Sequence, residues 1–119
     1  MKQCTSSDPV NITLKVIGGK WKPVILWYLK DEVKRFNQLS KEITGITQKM
    51  LIQQLRELET DGIIKRNVIP IVPPHVEYSI TSYGKTLEPV LQAMANWGQK
   101  HLATKTKNQK NKTDDPIVK

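Results

Sequence analysis

Apolar residues recur along the chain first at helical and then at strand spacing, and the switch divides it into a helical part and a short β part. Val10, Leu14 and Ile17 place one apolar stripe on a helix that Asp8 can cap and Pro9 can open, and Gly18-Gly19 ends it. From Lys20 to Leu29 the residues Val24, Ile25, Leu26, Trp27 and Leu29 form an almost wholly apolar run, which predicts a buried second helix. After the charged turn Asp31-Glu32-Val33-Lys34, the spacing of Phe36, Leu39 and Ile43 predicts a short amphipathic helix with Asn37 near its cap. Thr44-Gly45-Ile46 breaks that helix, and another runs from Thr47 to about Thr60, closed by Asp61-Gly62. Ile63 to Ile69 is rich in β-branched residues, Pro70 to Pro74 is stiff, and Val76, Tyr78 and Ile80 alternate with His75, Glu77 and Ser79, as in a β-hairpin with a rigid tip. Thr81 or Ser82 then caps a last helix whose wide apolar face holds Leu87, Val90, Leu91, Met94, Trp97, Gly98 and Leu102. Pro89 inside it predicts a kink or a restart.

Two short helices joined by a tight glycine-containing turn outline a helix-turn-helix, and a hairpin behind them is placed to act as a wing. The fold expected is therefore mainly α with a small β-hairpin, an α+β winged helix-turn-helix. Projected at about 100° per residue, the helix from Thr47 turns Leu51, Leu55 and Leu58 to the core and Lys49, Ile52, Gln53 and Arg56 to the opposite side, with Gln48 at the border. Any soluble helix has a polar outer face. Here the residue types are those that reach base edges and phosphates, Arg and Lys for guanine or phosphate and Gln for adenine. Thr47, Gln48, Lys49, Gln53 and Arg56 are thus the candidate reading residues. Lys65, Arg66 and His75 on the hairpin, with Lys34 and Arg35 ahead of the helix pair, are candidate contacts to the DNA backbone or minor groove. The hairpin has a blander reading, as a cover for the core.

Charge supports a polyanionic partner. The 119 residues carry a formal charge of +8, and from Thr104 onward five lysines face only Asp114 and Asp115. That length suits one domain. Residues 1–8 are expected to be a flexible arm, 9–103 the working domain, and 104–119 a disordered basic tail with almost nothing to bury. No apolar run approaches the roughly eighteen residues of a membrane span and no signal peptide is evident, which predicts a cytoplasmic, nucleoid-associated protein with no membrane partner. His75 and His101 lack partners at metal-binding spacing, no phosphate-gripping glycine loop is present, and Cys4 lacks a base, so neither metal, cofactor nor enzymatic activity is expected. Trp21, Trp27 and Trp97 sit in apolar helical contexts that suit core or interface packing better than a ligand pocket or base stacking.

Several separated stretches, in order, resemble the HxlR-type winged helix-turn-helix regulators, a MarR-like group. They are Val16-Ile17-Gly18-Gly19-Lys20-Trp21-Lys22-Pro23, Lys34-Arg35-Phe36-Asn37-Gln38-Leu39, Ile46-Thr47-Gln48-Lys49-Met50-Leu51, Gln54-Leu55-Arg56-Glu57-Leu58-Glu59, Pro73-Pro74-His75-Val76-Glu77-Tyr78-Ser79-Ile80-Thr81 and Trp97-Gly98. The resemblance spans about residues 9 to 98. It implies a homodimer held by the first and last helices, a recognition helix beginning at Ile46-Thr47-Gln48-Lys49, and sequence-specific control of transcription, as repressor or activator, from an inverted-repeat operator on double-stranded DNA. A small-molecule effector of unspecified chemistry is compatible with it. Family members that sense oxidants or electrophiles often carry a Cys-Pro pair before the first helix, where this chain has Asp8-Pro9, so Cys4, four residues earlier, is the one candidate sensor. Two other readings are a winged-helix module that docks on protein through its last helix, and a redox or electrophile switch carried by Cys4.

Overall fold

The computed structural model describes residues 8–111, with side chains for 8–106. The chain divides into two units, residues up to Glu88 and residues from Pro89 on.

The first unit begins with α1, Pro9–Ile17, where the Asp8 carboxylate accepts from the Val10 N–H at 3.1 Å and Pro9 occupies the first turn. Of its expected apolar stripe only Ile17 is buried, while Val10 and Leu14 remain more than half exposed. The buried beam α2 spans Lys22–Leu29, starting two residues later than the apolar run suggested, with Pro23 in its first turn and Ile25, Leu26 and Leu29 inside. Helix α3, Phe36–Glu42, is opened by Gln38, whose Oε1 accepts from the Arg35 N–H at 2.8 Å. Asn37, expected near the cap, lies one residue inside the helix. Gly45, at φ +89°, makes the sharp turn into α4, a left-handed conformation that a side chain would strain.

Helix α4, Gln48–Thr60, starts at Thr47, whose hydroxyl accepts from the Met50 N–H at 3.1 Å. Thr47→Ala should lower stability by about 1 kcal/mol, seen as a lower urea midpoint, because it strands one helix-end donor. Leu51, Leu55 and Leu58 are almost fully buried, as the spacing predicts.

The sheet differs from the expected hairpin. A two-residue strand β1, Lys34–Arg35, joins β2, Ile64–Ile69, and β3, His75–Ile80, in an antiparallel sheet of order β1-β3-β2. Lys34 and Arg66 flank Tyr78, and Arg35 and Asn67 flank Glu77. Central β3 touches α2 and α3, and β2 touches α4, so the sheet completes the core beneath the helix pair. The Thr81 hydroxyl reaches the carbonyls of Gly62 and Ile63 and accepts from the Gly84 N–H at 2.9 Å. It thereby ties the end of the sheet to a single 3₁₀ turn, Gly84–Leu87, where a long helix was expected to begin. Gly84 is required there because a methyl would collide with the Ile63 carbonyl.

Among the described residues the second unit consists of helix α5, Glu88–Asn111, whose first residue closes the first unit. It starts at Glu88, so Pro89 lies in the first turn, where no donor is lost, and a new helix restarts there. The helix also runs eight residues into the segment expected to be disordered. Trp97 stacks on His101 one turn later, ring centroids 4.8 Å apart.

Candidate nucleic-acid interface

Helix α4 and the wing face one another across a groove of about 710 Å³. Arg35, Phe36 and Asn37 enter it from the start of α3, Ile52, Arg56 and Glu59 from the outer face of α4, and Arg66 and residues 74–76 and 78 from the wing. Three guanidinium groups thus meet a single lining carboxylate, Glu59, which makes the groove cationic and suited to a phosphodiester backbone. His75 Nε2 lies 3.2 Å from Glu77 Oε2, which fixes the ring at the groove wall.

Of the candidates named from sequence, the fold gathers Arg35, Arg56, Arg66 and His75 in this groove. Gln48, Lys49 and Gln53 lie on the exposed surface of α4 outside it, and Thr47 spends its hydroxyl on the cap. Lys65 pairs with Ser79 and alternates with Arg66, so it points to the other face of β2. Cys4 lies outside the described residues.

Lys34, also a candidate, is not on the groove lining. It is only 8% exposed, and its ammonium donates to both Glu42 carboxylate oxygens, at 2.7 and 2.9 Å, beside the Tyr28 ring. It ties β1 to the end of α3 and leaves no free charge for a phosphate. The hydrogen bond to Glu42 raises the Lys34 pKa above its usual value, against the opposing effect of burial. A raised pKa means that the stability from this pair is fully present below the unfolded value of about 10.4 and is lost as pH rises through the folded one. Lys34→Met should therefore remove an alkaline inflection from the thermal midpoint, while duplex affinity at neutral pH stays unchanged.

A second ion pair underlies α4. Lys22, buried on α2, meets Glu57 Oε1 at 2.6 Å, and Glu57 Oε2 accepts from Gln53 Nε2 at 3.4 Å. Asn37 was missed as a groove residue. Its polarity beside Arg35 was visible, but its neighbours come from a sheet that periodicity did not reveal. Among the described residues no helix is long and apolar enough to cross a membrane.

The HxlR-like helix-turn-helix family model matches residues 16–106. The HTH-type transcriptional regulator YdeP of Bacillus subtilis is 56% identical over 93 residues, covering 78% of this chain and 73% of the relative. YtfH of Escherichia coli, also an HTH-type transcriptional regulator, is 39% identical over 101 residues, 85% of this chain and 77% of its own. Among solved structures, the redox regulator HypR in its reduced form superposes with a TM-score of 0.78 at 48% identity, covering 85% of this chain and all of HypR. The HTH-type regulator YtcD superposes at 0.76 with 52% identity, covering 79% and 96%. The winged helix-turn-helix, the cationic groove beside its second helix and these likenesses agree: the chain belongs to the HxlR-like helix-turn-helix family and is a DNA-binding transcriptional regulator.

Proposed function

We propose that the chain controls transcription as a homodimer that lays α4 in the major groove of each half of an inverted-repeat operator. The observation that carries this reading is the convergence of Arg35, Arg56, Arg66 and His75 on one groove beside the exposed face of α4. In that placement Gln48, Lys49, Gln53 and Arg56 meet base edges or nearby phosphates. Arg35, Arg66 and His75 hold one backbone strand, and Lys65 reaches phosphate from the other face of the wing.

Dimerisation through the first and last helices is supported by apolar side chains that each leaves exposed. On α1 these are Val10, Ile12 and Leu14, and on α5 Val90, Met94, Trp97 and Leu102. Two-fold symmetry then sets the two reading helices about 34 Å apart, one turn of DNA. Inserting about five base pairs, half a helical turn, between the half-sites of a selected operator should abolish cooperative binding in a gel-shift assay, and about ten should restore it in part. Equal affinity for all three spacings would refute the dimeric reading. Repression or activation follows from where the operator lies relative to the promoter, and the site of action is the cytoplasmic nucleoid.

A second reading is thiol control, favoured by likeness to HypR, solved in both oxidised and reduced forms. Cys4 is the one cysteine in the sequence, so a disulfide would join two chains. Diamide would take up the two electrons and two protons released as two Cys4 thiols couple. Diamide should then release the wild type from its operator and leave Cys4→Ser bound; equal release of both excludes it.

A further inference from the structure

The exposed face of α4 carries a glutamine amide held by a carboxylate that is itself tied to the core. Glu57 divides its carboxylate between two partners, Oε1 to the buried Lys22 ammonium at 2.6 Å and Oε2 to Gln53 Nε2 at 3.4 Å. Lys22 is 9% exposed and comes from α2, so the Glu57 side chain is anchored to the core. Gln53 stands one turn before Glu57 on the same face of α4, at a spacing that brings such side chains together.

A carboxylate has only acceptors to offer. The Gln53 amide must therefore turn its nitrogen to Glu57, which leaves its oxygen and its second N–H for another partner. The hydrogen bond from Lys22 leads the forces that hold the Glu57 carboxyl below its usual range, followed by that from Gln53, so the group is ionised at neutral pH. An unrestrained glutamine turns either end of its amide forward and matches donor or acceptor alike.

We propose that Glu57 is a positioning residue that holds the Gln53 amide with its oxygen turned away from the carboxylate, so that Gln53 selects a base offering an exocyclic amino donor in the major groove, adenine before the others. Adenine presents N6–H₂ to that oxygen and N7 to the remaining N–H, whereas guanine presents only the acceptors O6 and N7 and thymine presents O4 and a methyl. Cytosine offers N4–H₂ and satisfies the oxygen alone. The inference rests on the proposed insertion of α4 into the major groove.

The test is selection of bound sequences from a randomised duplex pool by wild type, Gln53→Ala and Glu57→Gln, followed by competition at each operator position. Glu57→Gln keeps size and lets the Gln53 amide flip, because an amide both donates and accepts. Wild type should prefer adenine over guanine at one position by about tenfold, and Glu57→Gln should reduce this to about threefold or less. Gln53→Ala should flatten the same position. Glu57→Asp keeps the charge near Lys22 but withdraws it from Gln53, and should show the same loss; it serves if Glu57→Gln does not fold. A purely structural Glu57 would move the thermal midpoint and leave the base profile alone, and that outcome overturns the inference. So does a selected operator that Gln53→Ala leaves unaltered. Wild type selecting no consensus at all overturns instead the major-groove reading on which the inference stands.

Discussion

Replacing Arg56 and Arg66 together with alanine should cost at least about a hundredfold in duplex affinity and leave the fold intact. Both side chains line the same groove from opposite walls, α4 and the wing. A hydrogen bond to a charged group contributes about 1.5–3 kcal/mol, so two lost phosphate contacts amount to roughly two decades or more. Stability should stay within about 0.5 kcal/mol, because both residues are exposed. The salt dependence gives a second check: the slope of log affinity against log salt should become shallower by nearly two, about 0.9 for each phosphate released. Fluorescence anisotropy on a labelled duplex measures both. Lys65→Ala, on the other face of β2, should change the slope by at most one such unit.

Leu55→Ala should cost about 2–5 kcal/mol, a large part of the stability of a domain this small. Leu55 is 1% exposed and lies between Leu51 and Leu58, which are fully buried on the same face of α4. The cavity would lie under α4, so the loss should appear twice, as a thermal midpoint lower by more than about 10 °C and as weaker DNA binding near that temperature. Ile52→Ala, three residues earlier on the lining of the cationic groove, should leave the midpoint almost unmoved. Thermal melts of the two variants side by side separate the core face of α4 from its exposed face.

Those two faces were legible in the sequence because helical periodicity reports burial directly. Leu51, Leu55 and Leu58 fell on one arc and are buried together. The Asp8 cap and the Gly45 turn were legible for a related reason, since each depends on a local hydrogen bond or backbone angle that only a few residue types supply; Thr47 was read as the first residue of its helix and is instead its cap. Strand β1 was not legible. Two residues cannot show alternation, and Lys34 and Arg35 pair with Tyr78 and Glu77, more than forty positions along the chain. The same gap hid the role of Lys34, whose partner Glu42 stands at the far end of α3. In the last helix, pattern reading stopped at Leu102 because nothing apolar follows, although Lys, Asn, Gln and Thr allow a solvated helix to continue. The groove itself arises where three elements distant in sequence converge. Sequence could nominate Arg35, Arg56, Arg66 and His75 singly, and only the fold brings them to one place.

The central claim is that α4 and the wing together grip duplex DNA, and the salt dependence of duplex binding tests it most directly. Wild type, titrated onto its selected operator between about 50 and 200 mM salt, should lose affinity linearly on a log-log scale with a slope set by several phosphate contacts. Removing Arg35, Arg56 and Arg66 one at a time should make that slope shallower by about one unit each. Salt-independent binding, or a slope indifferent to all three arginines, would contradict the account.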